Sequence, residues 1–222
     1  MLKSLQAFLK PSKTIPKVSW SNVGSNWSVK PYPFLVLVLG LWIFGTGEAM
    51  LINSSIGVSP WTVLGEGVAK QLSVGIGVAT FIVGTLVLLL WIPLKQKPGL
   101  GTIMNILVIS TAIDLMRPVL PTPDVFALQL VMVVAGVALV GVGSAFYLTA
   151  NYGPGPRDGW MTGLHYRTGI PVGKVRLGIE LTVLLTGWIL GGTVGIGTAI
   201  FALFIGQAIA ISLGIVSRKK HI

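Results

Sequence analysis

Six stretches of the chain, near residues 33–52, 76–94, 101–118, 126–149, 177–194 and 196–217, are apolar and almost free of charge. Each is close to the length of about 20 residues that a helix needs to cross the hydrocarbon core of a bilayer. A soluble domain carries about a quarter charged residues, whereas this chain has 10%, with 53% hydrophobic residues and a mean hydropathy of +0.84. So few charges cannot solvate a soluble surface. The expected fold is an all-α integral membrane protein of about six transmembrane helices, one membrane domain preceded by a basic tail at 1–32.

Basic residues set an orientation. The tail carries Lys3, Lys10, Lys13, Lys17 and Lys30, and the second loop carries Lys95 and Lys97. The fourth loop has Arg157, Arg167, Lys174 and Arg176, and the C-terminus Arg218, Lys219 and Lys220. Fourteen of the 16 Lys and Arg therefore fall on one side, leaving Lys70 and Arg117 on the other. Lys and Arg are retained in cytoplasmic loops, so both termini are expected in the cytoplasm. The same bias explains the net charge of +10 without a nucleic-acid partner. Residues 1–30 lack the apolar core of a cleavable signal peptide, and MLKSLQAFLK is amphipathic enough to lie on a membrane surface. The chain contains no Cys, which excludes disulfides, thiolate metal sites and Cys nucleophiles.

An internal repeat constrains the fold further. An offset of 96 residues aligns 33–114 with 129–210 without a gap. Eight glycine pairs coincide, among them Gly40/Gly136, Gly45/Gly141, Gly47/Gly143 and Gly57/Gly153, together with Pro60/Pro156 and Thr102/Thr198. Scattered membrane glycines would match only with gaps, so the register indicates duplication into units 33–118 and 119–222. Each unit has three spans, so the second enters the membrane from the opposite side to the first. Inverted repeats of this kind build many secondary transporters, with the solute site at the repeat interface. The glycines at 45, 47, 141 and 143 are expected to let helices approach closely.

Between the first two spans of each unit lies a segment too long for a tight turn: 56–77 and 152–173. Each opens with Gly and places Pro where a short amphipathic helix would begin, and Ser59 can cap the first. Two readings stay open. The segments are re-entrant half-helices whose N-termini face a cavity and favour an anion, with Arg157 adding to that field. Alternatively they lie flat among the headgroups, and the nearby Arg and Lys are ordinary anchors.

Few polar residues fall at membrane depth. Glu180 precedes an uncharged run to Ile196, where a carboxylate is costly unless paired, protonated or facing a cavity. Arg176, four residues earlier, offers a local ion pair as the plainer account. Asp114 can pair with Arg117, and Asn105 can bond across helices. No HExxH, GxSxG, Walker loop or acidic metal cluster occurs, so no enzyme, cofactor or metal is expected.

GVSPW at 57–61, GLGT at 99–102, GPGPRDG at 153–159, RTG at 167–169 and GWILGGTVGIGTAIFALFIG at 187–206 together resemble the YczE/YitT-type membrane proteins of bacteria. The resemblance runs from about residue 33 to the end. It implies a multi-pass protein of the bacterial cytoplasmic membrane and carries over no catalytic or ligand residues. The reading is a secondary carrier or channel for a small solute, an anion being the kind the half-helix reading favours. Its candidate site residues are Ser59 and Trp61 from one broken segment, Arg157 and Asp158 from the other, and Glu180 as charge partner or proton carrier. The alternative is a non-transporting scaffold or regulatory subunit. The expected partners are the bilayer and a small solute, with no oligomeric state specified.

Overall fold

A computed structural model of the chain describes residues 11, 12 and 14–218. The amphipathic start at 1–10 lies outside them. Nine α-helices make up the regular structure of the described residues: α1 Pro31–Ser54, α2 Pro60–Leu72, α3 Ile76–Leu89, the single turn α4 Trp91–Leu94, α5 Leu100–Met116, α6 Phe126–Ala150, α7 Pro156–Thr168, α8 Val172–Ile189 and α9 Ile196–Ser217. The chain is an all-α membrane protein.

Local chemistry places these helices at the same offset of 96. Pro60 and Pro156 open α2 and α7, where a missing N–H costs nothing and a fixed φ helps. Thr102 and Thr198 accept from the backbone N–H of Gly99 and Gly195 at 3.0 and 3.3 Å, satisfying a donor just before α5 and α9. Ser55 and Asn151, at left-handed φ of 60° and 59°, end α1 and α6.

Four helical stretches are long and apolar enough to cross a membrane, namely Pro31–Ser54, Ile76–Leu94, Phe126–Ala150 and Ile196–Ser217. Six were expected. Helix α5 is apolar but has 17 residues, about 26 Å at 1.5 Å per residue against a core of about 30 Å. Helix α8 has 18 residues, but Lys174, Arg176 and Glu180 occupy its first half.

The centre of the fold is the contact between α1 and α6. A methyl added at Gly40 would lie 3.0 Å from the Gly143 carbonyl oxygen, and one at Gly47 would lie 2.7 Å from that of Gly136. Position rises along α1 as it falls along α6, so the two helices run antiparallel with backbones nearly touching. Helix α5 packs on α1, where Gly45 meets Ala112, and α9 packs on α6, where Gly141 meets Ala208. Each pair maps onto the other at the offset of 96. All four expected close-packing glycines therefore stand at helix contacts.

The segments after α1 and α6 cross over in the same reciprocal way. The Gly197 N–H donates to the Ile56 carbonyl at 2.8 Å, and the Gly101 N–H to the Tyr152 carbonyl at 2.9 Å. Gly57 and Gly153 hold φ of +121° and +105° at these crossings, a region that disfavours any side chain. The short helices then pack on distant long ones, α2 on α8 and α7 on α3.

Residues 14–30, read from sequence as part of a tail, pack against the end of α6 and the start of α5. Trp20 is buried, and its Nε1 donates to Thr149 Oγ1 at 3.0 Å. The Asn22 N–H donates to the Ala150 carbonyl, and the Leu100 N–H to that of Asn26.

Candidate solute site between the short helices

Residues on four elements converge where the N-termini of α2 and α7 meet. Glu48 lies in the last third of α1 and is 1% exposed. Its Oε2 accepts hydrogen bonds from Ser59 Oγ at 2.9 Å and Thr62 Oγ1 at 2.7 Å. Ser59 also caps α2, accepting from the Thr62 N–H at 3.3 Å. The carboxylate thus sits at a helix N-terminus, where the dipole favours negative charge. Glu48 Oε1 and the indole Nε1 of Trp61 are both buried and without a hydrogen-bond partner among the described residues. A buried polar atom left unpaired costs about 1–3 kcal/mol, so the fold retains these two at a disadvantage.

Arg157, in the first turn of α7, faces them. Its guanidinium carbon stands 5.3 Å from the Trp61 ring centroid and 5.6 Å from that of Phe44. Guanidinium groups are held over aromatic faces by the ring quadrupole. Among the described residues, Arg157 donates no hydrogen bond to a protein acceptor, so its planar fork of donors stays available. Two cavities adjoin the guanidinium. A chamber of about 40 Å³ lies between Glu48, Trp61, Thr80, Asn105 and Arg157. A larger cavity of about 450 Å³ extends between Phe44, Ser144, Tyr147, Asp158 and Ile205 to Arg176 and Glu180. Trp61, Asn105, Pro156 and Arg157 border both.

The five candidates from sequence divide accordingly. Trp61 and Arg157 are brought together at the centre. Ser59 anchors Glu48 and borders neither cavity. Asp158 borders the larger cavity, but its Oδ2 accepts from the Tyr147 hydroxyl at 2.8 Å, which occupies that oxygen. Glu180 lies on the cavity wall and takes the plainer of its two roles, a 2.9 Å ion pair with Arg176 whose side chains are 29% and 48% exposed. Asp114 does not pair with Arg117. Its Oδ1 accepts from the Gly77 N–H at 2.8 Å, because the start of α3 presents a free donor at that depth. Among the described residues Asn105 makes no bond across helices, and it borders both cavities.

Sequence reasoning missed Glu48 and Tyr147 as members of the site. A signal for Glu48 was present: it is the only Asp, Glu, Lys or Arg within the four long apolar stretches. Intramembrane ionisable residues mark functional sites by default. Tyr147 had no such signal, since a Tyr near a span end reads as an interface anchor.

Residues 32–213 match a family described as "Family of unknown function (DUF6198)". An uncharacterised protein of Haemophilus influenzae is 38% identical over 213 residues, covering 96% of this chain and 97% of its own. The uncharacterised membrane protein YczE of Bacillus subtilis is 31% identical over 176 residues, 78% of this chain and 82% of its own. The uncharacterised protein YyaS of the same organism is 23% identical over 184 residues, 81% and 92%. No solved structure matches.

Proposed function

We propose that this chain, which belongs to the DUF6198 family, is a secondary carrier or channel for a small anionic solute bound between the tips of α2 and α7. One observation carries the reading: the unpaired guanidinium of Arg157 lies on Trp61, at the border of a cavity of about 450 Å³. The antiparallel contact of the equivalent helices α1 and α6 supports two three-helix units in inverted orientation. On this reading α5 and α8 complete six crossings, α2 and α7 are re-entrant half-helices, and both termini are cytoplasmic. The solute passes through chemically unchanged.

The asymmetry between the two tips indicates the sign of the solute's charge. At α2 the tip carries its own carboxylate, Glu48. The position equivalent to Glu48 is Ser144, so α6 supplies no such anion to the tip of α7. That tip has no side-chain cap, its own first-turn carboxylate, Asp158, is held by the Tyr147 hydroxyl, and Arg157 stands beside it. Free N–H groups, a helix dipole and a guanidinium together make an anion site, and Trp61 Nε1 adds a buried donor.

The test is thermal stabilisation of the purified protein by nitrate, methanesulfonate, propanoate and butyrate, with choline and neutral sugars as controls. At least one anion should raise the melting temperature of the wild type and leave Arg157→Ala unchanged. Absence of any anion-dependent shift in the wild type would remove the basis for a carrier and favour a scaffold.

A further inference from the structure

We infer that Glu48 is the proton site of this carrier, so that each anion docking on Arg157 is accompanied by one proton taken up at the Glu48 carboxyl. The inference rests on the anion site proposed above and adds its coupling. Glu48 and Arg157 are the two opposite charges that line the small chamber, yet they form no direct salt bridge. The sole ion pair among the described residues is Arg176–Glu180. Glu48, which lines the small chamber, is held by hydroxyls on one oxygen alone, and the other, Oε1, is buried without a partner. That oxygen is where a proton can add without breaking a hydrogen bond.

Charge balance supplies the reason. With Glu48 ionised and Arg157 charged, the small chamber that both line is neutral, Asp158 lying on the larger cavity. An incoming anion would leave two negative charges against one positive, and an uncompensated buried charge is strongly unfavourable. One proton from water on Glu48 restores neutrality: anion and proton enter together, and the proton leaves to water when the anion does. The chamber's 40 Å³ exceeds the roughly 10–15 Å³ that a water needs, so water fits the space that Glu48 and Arg157 both line.

The neighbouring ionisable groups are otherwise engaged. From α6 and α7, Tyr147 donates to Asp158. Glu66, further along α2, accepts from the Thr193 N–H at 2.7 Å. Arg176 and Glu180 of α8 hold one another, and α5 contributes the uncharged Asn105.

The test is calorimetric titration of the full-length protein with methanesulfonate and nitrate, which do not themselves titrate near neutrality, in buffers of different ionisation enthalpy. Wild type should take up close to one proton per anion, with affinity rising about tenfold per unit fall in pH. Glu48→Gln should bind with no proton uptake and a flat pH dependence. In parallel, an infrared difference spectrum of the wild type should gain a protonated-carboxyl band when anion is added, which keeps the test decisive should the variant fail to fold. Binding that requires Arg157 but takes up no proton would overturn the coupling and leave the anion site standing. Proton uptake persisting in Glu48→Gln would overturn the assignment to Glu48. No anion binding by the wild type would remove both.

Discussion

Trp61 and Arg157 stand at the sequence offset of 96 residues and touch one another, the guanidinium 5.3 Å from the indole ring centroid. On the proposed inverted repeat, contact between equivalent residues puts both near the axis relating the units. The proposed solute site thus has an aromatic donor on one side and a cation on the other.

Trp61→Phe separates these roles. Phe keeps a ring beneath Arg157 and removes the buried Nε1–H that lacks a partner. Losing an unsatisfied buried donor should leave the anion-free melting temperature unchanged or higher, by up to about 1–3 kcal/mol of stability. Anion binding should weaken roughly tenfold, the worth of one hydrogen bond to a charged group. Paired melts with and without methanesulfonate read both effects. Unchanged affinity would show that Nε1 does not touch the solute.

The glycine contacts predict opposite outcomes for one chemical change. At Gly143 an added methyl would lie 2.5 Å from the Phe44 nitrogen and 2.6 Å from the Gly40 oxygen. Both are backbone atoms, so α1 and α6 must separate, at a cost of about 1–3 kcal/mol or more. At Gly206 nothing lies within 4 Å, and Ala is favoured over Gly in a helix by about 0.8–1.0 kcal/mol. Gly143→Ala should lower the melting temperature and the folded yield, while Gly206→Ala should raise or preserve both.

The scaffold was legible in sequence because it rests on periodic features: apolar length, glycine register and proline at helix starts each leave a mark in the chain. The offset of 96 located α2 and α7 to the residue, since Pro60 and Pro156 begin them. The site was half legible. Trp61 and Arg157 fall in the broken segments where a search looks first. Glu48 reads as one acidic residue near the end of a span, and only the fold shows Ser59 and Thr62 reaching back to it from eleven and fourteen residues on. Glu180 attracted attention through its cost at depth, which Arg176 one turn away largely offsets. Residues 14–30 read as a basic tail, because the partners of Trp20 and Asn22 lie about 130 residues away.

Glu180→Gln should accordingly be mild. The Arg176–Glu180 pair is partly exposed, and such pairs contribute roughly 0–1 kcal/mol. Affinity for the stabilising anion should change less than about threefold, in contrast with its loss in Arg157→Ala. A loss as large as that of Arg157→Ala would move the centre of the site toward α8.

The number of crossings can be read by counting sides. Residue 28 precedes α1, and residue 122 lies between α5 and α6. If only the four long apolar stretches cross, two crossings separate these positions and both face the same side. If α5 also crosses, three separate them and they face opposite sides. Helix α5 is short by about 4 Å, a mismatch that local thinning or flanking side chains accommodate at modest cost. Its contact with α1 at Gly45 and Ala112 repeats that of α9 with α6, and α9 is long enough to cross by itself. The chain has no Cys, so single substitutions report cleanly. An impermeant maleimide should label Thr122→Cys in intact spheroplasts and Ser28→Cys only after permeabilisation. Labelling of both under the same condition would leave α5 outside the count, and with it the three-helix unit on which the inverted repeat depends.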